Sequence, residues 1–336
     1  MLVESGVQIF VTGGSGFIGR ELLNELLRRG CVVNAFVRDP LRLSGGAIDG
    51  VNYIQGDITD KESLRRGMSG CKYVFHLAGY ARNWARDKKI YDEINIVGTR
   101  NVFDIAVELG VERVVWTSTI VTFGVTPKGV VGDEKMVRVS DQFFTEYERS
   151  KAEMEREALR LSGEGVPVVI VNPTRVFGPG LLSESNTVTH LISMIRGGRM
   201  PVVLNYGRNI GNYVYIDDVV TGLILAMERG RIGERYILGG ENVTLRDFFS
   251  MIDKVDRVKR FRWGIYYLTP FLIAYISEWL ADVFGIYPVF TPGWVKTFLA
   301  DWSFSSKKAE SELGYKPIPF EEGIRKTCQW LDNVKR

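Results

Sequence analysis

The chain of 336 residues is 45% hydrophobic and 25% charged, which excludes a disordered or collagen-like protein and predicts one large globular domain or two coupled ones. Its 43 Lys and Arg residues nearly balance 40 Asp and Glu, and a formal net charge of +3 argues against a nucleic-acid-binding surface.

The cysteines and histidines are too few and too scattered for a metal site. Cys31, Cys71 and Cys328 indicate reduced thiols in a cytoplasmic protein rather than a disulfide framework. His76 and His190 leave little scope for zinc or a histidine-based triad, so we expect no metal, and His76 fits a core position on its strand. The chain begins almost directly in an apolar run without a basic leader, so we expect a cytoplasmic location.

Short apolar runs of β character alternate with helical patterns through the first half of the chain. We predict strands at 7–12, 32–37, 51–54, 73–77, 113–117 and 166–171, and helices at 21–29, at 101–109 and from near Tyr147. Strands separated by helices imply parallel βαβ units. The predicted fold class is therefore α/β, a doubly wound parallel sheet of the Rossmann type, with residues 1–172 as a dinucleotide-binding domain.

Beyond Pro173 this alternation is lost, and we assign residues 173–336 mainly to a smaller, discontinuous C-terminal substrate-binding domain. A predicted strand at 213–216 and the helix after it return residues 212–238 to the sheet. That helix begins at Asp217-Asp218, which would serve as its N-terminal cap. Ligands of such sheets bind at the carboxyl ends of the strands.

A glycine-rich turn joins the first strand to the first helix. Gly13, Gly16 and Gly19 suit a tight turn, close approach of the backbone to a pyrophosphate, and close packing of helix on strand. The amide groups and positive dipole end of the helix would hold the phosphates. This context favours dinucleotide binding over the alternative, a merely tight βα turn.

The end of the second strand indicates which dinucleotide binds. An NAD site usually carries Asp or Glu there for the ribose hydroxyls, whereas this strand ends in Val37 followed by Arg38. A guanidinium can bind a 2′-phosphate through two parallel hydrogen bonds, and Asp39 is followed by Pro40 in a turn directed away. We therefore predict NADP(H) in preference to NAD(H), with a solvated loop charge as the alternative role for Arg38.

A tyrosine, a lysine and a hydroxyl form the predicted reactive set. Tyr147 and Lys151 are four residues apart, so they share one face of a helix. A neighbouring ammonium, together with the oxidised nicotinamide, would lower the pKa of the phenol and help it to exchange a proton with a carbonyl or alcohol. Ser118 and Thr119 end a buried strand, where a hydroxyl can hydrogen-bond a substrate oxygen.

These motifs together resemble the extended short-chain dehydrogenase/reductases. Residues 35–40 resemble the same strand end in dihydroflavonol-4-reductase-like enzymes, whose arginine there contacts the NADP 2′-phosphate. Residues 172–180 are similar to the strand and loop that approach the nicotinamide in that family. Residues 80–87 and 233–242 resemble the bacterial branch often labelled hopanoid-associated sugar epimerase.

The resemblance implies roles for particular residues. Tyr147 would be the catalytic acid/base, Lys151 its activator and ribose ligand, and Thr119 the donor to the substrate oxygen. Cofactor contacts are expected at Gly13, Gly16, Phe17, Ile18, Gly19, Arg38, Asp57, Ile58, Leu77, Ala78, Gly79, Thr117, Ser118, Tyr147, Lys151, Pro173, Thr174 and Val176. Substrate contacts are expected at Tyr80, Trp84, Thr119 and Asn172. The resemblance also implies a homodimer, formed through the helices around 101–109 and 147–161.

Departures from the family patterns favour simple hydride transfer. Ile120-Val121 follow Thr119 where sugar 4,6-dehydratases of this superfamily have an Asp-Glu pair, and Val37-Arg38 replace the acidic strand end of UDP-sugar 4-epimerases. We therefore predict an NADPH-dependent reductase of a small-molecule carbonyl, or the reverse alcohol oxidation. The alternatives are an NAD(P)-dependent sugar epimerase and a non-catalytic NADP-binding regulator.

The segment 263–277 is uncharged and rich in aromatic and aliphatic residues. It is short for a membrane span and contains Pro270. Core or interface helices are the favoured interpretation, with docking on a membrane surface or a lid over an apolar substrate as alternatives. The aromatic character of this region favours an apolar or aromatic substrate over a nucleotide-sugar.

Overall fold

The structure is a computed structural model that describes residues 3–43, 45–138, 142–182, 186–200, 202–265, 268–288 and 290–334. The strands are β1 (Gln8–Thr12), β2 (Val32–Val37), β3 (Val51–Gln55), β4 (Tyr73–His76), β5 (Arg113–Thr117), β6 (Val168–Pro173), β7 (Arg175–Phe177), β8 (Val202–Leu204), β9 (Ile210–Tyr215), β10 (Arg235–Leu238), β11 (Glu241–Thr244) and β12 (Trp263–Ile265). The helices are α1 (Phe17–Arg28), α2 (Lys61–Met68), α3 (Lys89–Asp92), α4 (Thr99–Glu108), α5 (Glu146–Gly163), α6 (Thr187–Arg196), α7 (Ile216–Arg229), α8 (Leu245–Asp256), α9 (Leu268–Phe284), α10 (Pro292–Leu299) and α11 (Phe320–Val334).

Seven parallel strands form the central sheet in the order β10-β6-β5-β4-β1-β2-β3. The strand order reverses between β1 and β4, so a crevice opens at their carboxyl ends. This arrangement confirms the predicted doubly wound α/β fold.

Successive residues of each strand face opposite sides of the sheet, and both sides are buried by helices. On one side Val11 and Val169 pack with Leu22 of α1 and Leu223 of α7. On the other side Phe10, Val74, Val114 and Val168 pack with α2, α4 and α5. Continuous apolar strands such as β5 and β6 are therefore the sequence signature of a sheet that is covered on both faces.

The later part of the chain builds a second core. The strand order β11-β9-β7 forms a three-stranded sheet, whose aromatic side chains pack with α6, α8 and α11. The strand predicted at 213–216 belongs to this smaller sheet as part of β9, so its predicted return to the main sheet is wrong. The strand that does return is β10, which pairs with β6.

The two acidic residues at the start of α7 do not cap it. Tyr215 holds the cap position, without a side-chain hydrogen bond, and Asp217 and Asp218 lie inside the first turn. The Asp218 carboxylate instead accepts the Ile318 amide at 3.0 Å, which ties the segment before α11 to α7. Burial raises the pKa of Asp218 to about 6.

The apolar segment from Trp263 onward forms β12 and α9. Most of the large apolar side chains of α9 are exposed to solvent, so α9 is not a core helix, whereas the other half of the prediction, an interface helix, stays a prediction. Within the described residues, no helix combines the length and the apolarity that crossing a bilayer requires.

Candidate active site

The turn between β1 and α1 leaves no room for side chains at its glycines. Gly13 has a φ of +74°, and a Cβ atom there would lie 2.6 Å from the Ala78 nitrogen. A Cβ atom at Gly19 would lie 2.1 Å from the Gly13 carbonyl oxygen. Helix and loop are thus packed closely, and the amides at the start of α1 face a cavity at the sheet edge.

That cavity has a volume of about 520 Å³ and lies across the carboxyl ends of β1, β2, β4, β5 and β6. Most of the residues predicted for cofactor and catalysis line it. These are Gly13, Gly16, Phe17, Ile18, Gly19, Arg38, Asp57, Ile58, Leu77, Ala78, Gly79, Thr117, Ser118, Thr119, Tyr147, Lys151, Pro173, Thr174 and Val176, together with Tyr80 from the predicted substrate set.

Two residues predicted for the substrate lie elsewhere. Asn172 is fully buried behind the cavity, where its amide donates to the Thr119 carbonyl oxygen at 3.1 Å. Trp84 lines a separate cavity of about 280 Å³, and its indole donates to Asp282 at 3.1 Å. In this structure Asn172 therefore positions the backbone of Thr119, and Trp84 anchors α9.

At the end of β2, Arg38 is exposed and lines the cavity, while Asp39 does not line it. The Asp39 carboxylate accepts the Leu41 amide at 2.9 Å and so caps a short turn of 3₁₀ helix. The acidic side chain is directed into its own turn, as predicted from Pro40. The guanidinium is thus the charged group that β2 presents to the cavity.

The predicted reactive set converges at the middle of the cavity. The Lys151 ammonium donates to the Thr117 carbonyl oxygen at 2.9 Å and lies 5.0 Å from the centre of the Trp116 ring. The side chain of Tyr147 lies beside that of Thr119, close enough for Thr119 to act on the pKa of the phenol. Helix α5 carries the tyrosine and the lysine on one face, and the end of β5 carries the threonine.

Burial dominates the electrostatics of this set. Burial raises the pKa of Tyr147 to about 12, although the neighbouring Thr119 side chain acts in the opposite direction. Burial lowers the pKa of Lys151 to about 8, opposed by the Glu155 carboxylate. In the protein alone desolvation dominates the pKa of Tyr147, and the predicted lowering by Lys151 together with the oxidised nicotinamide stays a prediction. Tyr147 keeps its proton at neutral pH.

A buried carboxylate beneath this set was not predicted. Glu155 is 2% exposed and accepts hydrogen bonds from Ser118, from Thr122 at 3.0 Å and from Asn172 at 2.7 Å, with Arg235 at 3.2 Å. It lies four residues after Lys151, on the same face of α5, and this spacing was the available signal. The network joins four elements under the predicted reactive set.

His76 is a core histidine, as predicted. Its ring is hydrogen-bonded to the hydroxyls of Thr12 at 2.6 Å and Thr99 at 3.0 Å, and burial lowers its pKa to about 3. The Thr12 hydroxyl also accepts the Ala78 amide at 3.2 Å. A neutral His76 therefore helps to hold the ends of β1 and β4 together beneath the glycine turn.

The outer half of the cavity has mainly apolar walls. Its lining there includes Ile120, Val121, Trp294, Phe298 and Trp302. Sequence reasoning noted the aromatic character around Trp294 but did not assign Phe298 or Trp302 to the site.

Arg175 is the cation of β7 that reaches this half. Its guanidinium donates to the Tyr213 hydroxyl and the Thr297 carbonyl oxygen, both at 3.2 Å, and stacks 4.8 Å from the Phe298 ring. These contacts hold it within the wall of the cavity.

The cavity fits a dinucleotide. The glycine turn offers a surface of backbone amides that any side chain would obstruct. The buried hydroxyls of Thr117 and Thr174 line the cavity and have no hydrogen-bond partner among the described residues. Buried polar atoms without partners are costly, so a polar ligand at this wall would satisfy them.

Comparisons with known proteins agree with this geometry. The family described as "NAD dependent epimerase/dehydratase family" matches residues 9–239. The "Putative dihydroflavonol 4-reductase" of Synechocystis sp. is 30% identical over 328 residues, which cover 96% of this chain and 94% of that protein. The "2-alkyl-3-oxoalkanoate reductase" of Stenotrophomonas maltophilia is 29% identical, over 95% of this chain and 98% of that protein.

Solved structures share the whole architecture. The crystal structure of gox2253 is 33% identical and has a TM-score of 0.80, over 99% of each chain. The UDP-glucose 4-epimerase of Thermotoga maritima has a TM-score of 0.78 at 22% identity, over 98% of this chain and 100% of that chain. At that identity the likeness concerns the fold alone.

Proposed function

The chain belongs to the NAD dependent epimerase/dehydratase family and is an NAD(P)-dependent oxidoreductase of the extended short-chain dehydrogenase/reductase type, and on that premise we propose that it reduces a carbonyl group on a small apolar or aromatic molecule at the expense of NADPH. The observation that carries the proposal is that Tyr147, Lys151 and Thr119 line one cavity together with the glycine turn and the apolar side chains of Trp294 and Phe298.

The proton chemistry follows from the state of Tyr147. A phenol whose pKa is raised to about 12 is a proton donor at neutral pH, which suits the reduction of a carbonyl to an alcohol. The Thr119 hydroxyl would orient the carbonyl oxygen beside Tyr147, and Asn172 holds the Thr119 backbone in place. The Lys151 ammonium would stabilise negative charge that remains on the phenol oxygen after proton transfer.

The cofactor assignment rests on Arg38 and the glycine turn. The amides around Gly13, Gly16 and Gly19 would hold the phosphates, and Lys151 would bind ribose hydroxyls. Arg38 would bind the 2′-phosphate, since no carboxylate of β2 competes at that position. When bound, the reduced nicotinamide supplies the hydride.

The walls of the outer half support an apolar substrate. A nucleotide-sugar carries a diphosphate, which calls for free cations, whereas Arg175 is engaged by Tyr213, Thr297 and Phe298. The names of the relatives point the same way, since one is a reductase of 2-alkyl-3-oxoalkanoates and another a putative reductase of dihydroflavonols. We propose a ketone with an alkyl or aryl substituent.

The alternative of a sugar epimerase shares the family and the fold. It is less well supported because β2 ends in Val37 and Arg38, which line the cavity where UDP-sugar 4-epimerases have an acidic strand end. The alternative of a non-catalytic regulator is less well supported because Tyr147, Lys151 and Thr119 all converge there.

We also propose that the enzyme is a cytoplasmic homodimer. Cys31, Cys71 and Cys328 are free and buried, as suits a reducing compartment. The dimer would form through the outward faces of α4 and α5, by analogy with the family. Light scattering of the purified protein would measure its mass directly, and a monomer at all concentrations would contradict the dimer.

The cofactor assignment is tested by fluorescence titration with NADPH and NADH. We expect tighter NADPH binding, and we expect Arg38→Ala to weaken NADPH binding by about 10- to 100-fold while NADH binding changes little. Arg28→Ala, at the far end of α1 in an exposed pair with Glu25, is the matched control and should leave both affinities unchanged. Equal loss for both cofactors, or NAD released only on denaturation, would contradict the assignment and favour the epimerase.

A further inference from the structure

Helix α9 exposes an apolar surface over about half of its circumference, as judged from about 100° of rotation per residue. Its outward side chains are 37% to 63% exposed. They are Leu272, Ile273, Tyr275, Ile276, Trp279, Leu280, Val283 and Phe284. The opposite stripe, with Ala274 and Ala281 fully buried, packs against the body of the protein. The usual amphipathic pattern of a surface helix is thus reversed.

This surface, which we call the α9 surface, is large. Eight side chains of this kind, each about half exposed, present roughly 800 Å² of apolar area, more than the roughly 300–600 Å² of the largest patch on a typical monomer. Exposed apolar side chains also precede and follow the helix in the chain, namely Phe261 and Trp263, which are 77% and 66% exposed, and Ile286 and Tyr287. Patches of this size mark interaction sites.

Basic side chains border the α9 surface at its carboxyl end, next to the carboxylates of Glu278 and Asp282. The exposed residues Arg86, Lys88 and Lys89 belong to a segment that packs on the helix through the hydrogen bond from Trp84 to Asp282. Lys88 lines the same small cavity as Glu278, and the Arg86 guanidinium reaches within 3.5 Å of the Cβ position at Gly285.

The amino-terminal side is also basic. The exposed residues Arg257 and Lys259 precede the aromatic pair Phe261 and Trp263, whose rings meet edge to face at 5.1 Å. Exposed Trp and Tyr side chains with flanking Lys and Arg are typical of protein that lies at the headgroup level of a bilayer.

We propose that the α9 surface docks this protein on a bilayer that contains anionic phospholipid. The helix would lie in the plane of the membrane with its apolar half at the boundary between headgroups and acyl chains, and the basic residues would contact the phosphates. A second copy of the chain is a poorer occupant. Self-complementary pairing would bring the basic borders of two copies towards each other, and like charges repel.

The position of the α9 surface relative to the cavity adds to this inference. Helix α9 packs on α10, and α10 contributes Trp294, Thr297 and Phe298 to the cavity wall. The docked surface and the apolar half of the cavity are therefore two sides of one helical pair. The docking proposal itself needs neither a cofactor nor a substrate, so it can fail or succeed independently of the proposed reaction.

The test is sedimentation of the intact protein with vesicles of equal parts phosphatidylcholine and phosphatidylglycerol. We expect the wild type to bind, and Ile276→Gln combined with Val283→Gln to weaken binding by at least about 10-fold. Leu41→Gln combined with Val137→Gln is the matched control, because these apolar side chains are 96% and 78% exposed elsewhere and should not affect binding.

A second pair of variants tests the charges. Lys88→Glu combined with Lys89→Glu should weaken binding to the mixed vesicles by at least about 10-fold, and should leave the weaker binding to pure phosphatidylcholine vesicles unchanged. Absence of wild-type binding to the mixed vesicles would overturn the proposal. It would also be overturned if light scattering showed that the Ile276 and Val283 substitutions convert a dimer into a monomer without any change in vesicle binding.

Discussion

Two regions of this molecule break the ordinary rule of burial in opposite directions. The floor of the active site buries ionisable and polar groups, among them Glu155, Lys151 and His76, whereas α9 exposes large apolar ones. In the floor the cost of burial is offset inside the chain, since Glu155 alone has four hydrogen-bonding partners. The α9 surface has no such compensation within the described residues. Buried polar groups whose hydrogen bonds are satisfied within the chain thus indicate chemistry inside the protein. Exposed apolar side chains that nothing in the described part of the chain covers indicate an external partner.

The largest expected effect comes from removing the proton donor above the floor. Tyr147→Phe keeps the ring in the cavity but removes the hydroxyl, and we expect turnover to fall by about 10²- to 10⁴-fold. Cofactor binding should change little, as measured by fluorescence titration. Unchanged turnover would show that the floor does not serve catalysis and would favour a regulator.

The next largest effect is expected from removing the buried Glu155 carboxylate, which accepts the hydrogen bonds in the floor of the active site. Glu155→Ala removes the buried carboxylate that Arg235 and Asn172 share as an acceptor, and we expect a loss of about 3–5 kcal/mol in the free energy of unfolding, measured with urea. Glu157→Ala, two residues further along α5 in an exposed pair with Arg100, should cost less than about 1 kcal/mol. Similar costs for both variants would show that the buried network contributes no more than a surface ion pair.

The pH dependence of reduction and of oxidation tests whether the buried Tyr147 hydroxyl serves catalysis. Reduction requires Tyr147 with its proton, which it keeps at all pH values below about 12 in the protein alone. Oxidation of an alcohol requires the deprotonated form, whose fraction rises about tenfold per pH unit below that pKa. We therefore expect kcat/KM for oxidation to rise with pH from neutral to alkaline conditions, while that for reduction is level below about pH 8 and falls above it, where Lys151 loses its ammonium charge. A level profile in both directions would contradict this assignment of acid and base.

The smallest expected effect concerns the stability contributed by the α9 surface. Ile276→Ala removes an apolar side chain that is 51% exposed, so we expect a change within about 0.5 kcal/mol in the free energy of unfolding. The same substitution at the fully buried Ile324 of α11 should cost about 2–5 kcal/mol. Equal costs would mean that Ile276 is packed against the protein in solution.

The sequence predicted the features that depend on local periodicity. Alternating strands and helices gave the parallel sheet, and the glycine turn and the spacing of Tyr147 and Lys151 gave most of the cavity lining. Features that depend on distant partners were missed. Glu155 resembles any helix-surface carboxylate until Ser118, Asn172 and Arg235 are brought to it from other elements.

Burial and strand pairing were likewise invisible in the sequence. The spacing of Tyr147 and Lys151 predicts proximity, but the raised pKa of Tyr147 follows from desolvation, which depends on the whole fold. The pairing of β9 with β7 and β11 is set by contacts remote in sequence. The apolar composition of α9 was evident, but not that its apolar residues face outward.

The most direct test of the central claim is the stoichiometry of turnover. The purified protein is incubated with NADPH and a series of alkyl and aryl ketones, while the near-ultraviolet absorbance of the reduced nicotinamide and the amount of alcohol are followed together. We predict that one NADPH is consumed for each alcohol formed, and that Tyr147→Phe abolishes both changes together. Inversion of a nucleotide-sugar without net consumption of nicotinamide, and no reduction of any ketone, would contradict the account and identify an epimerase.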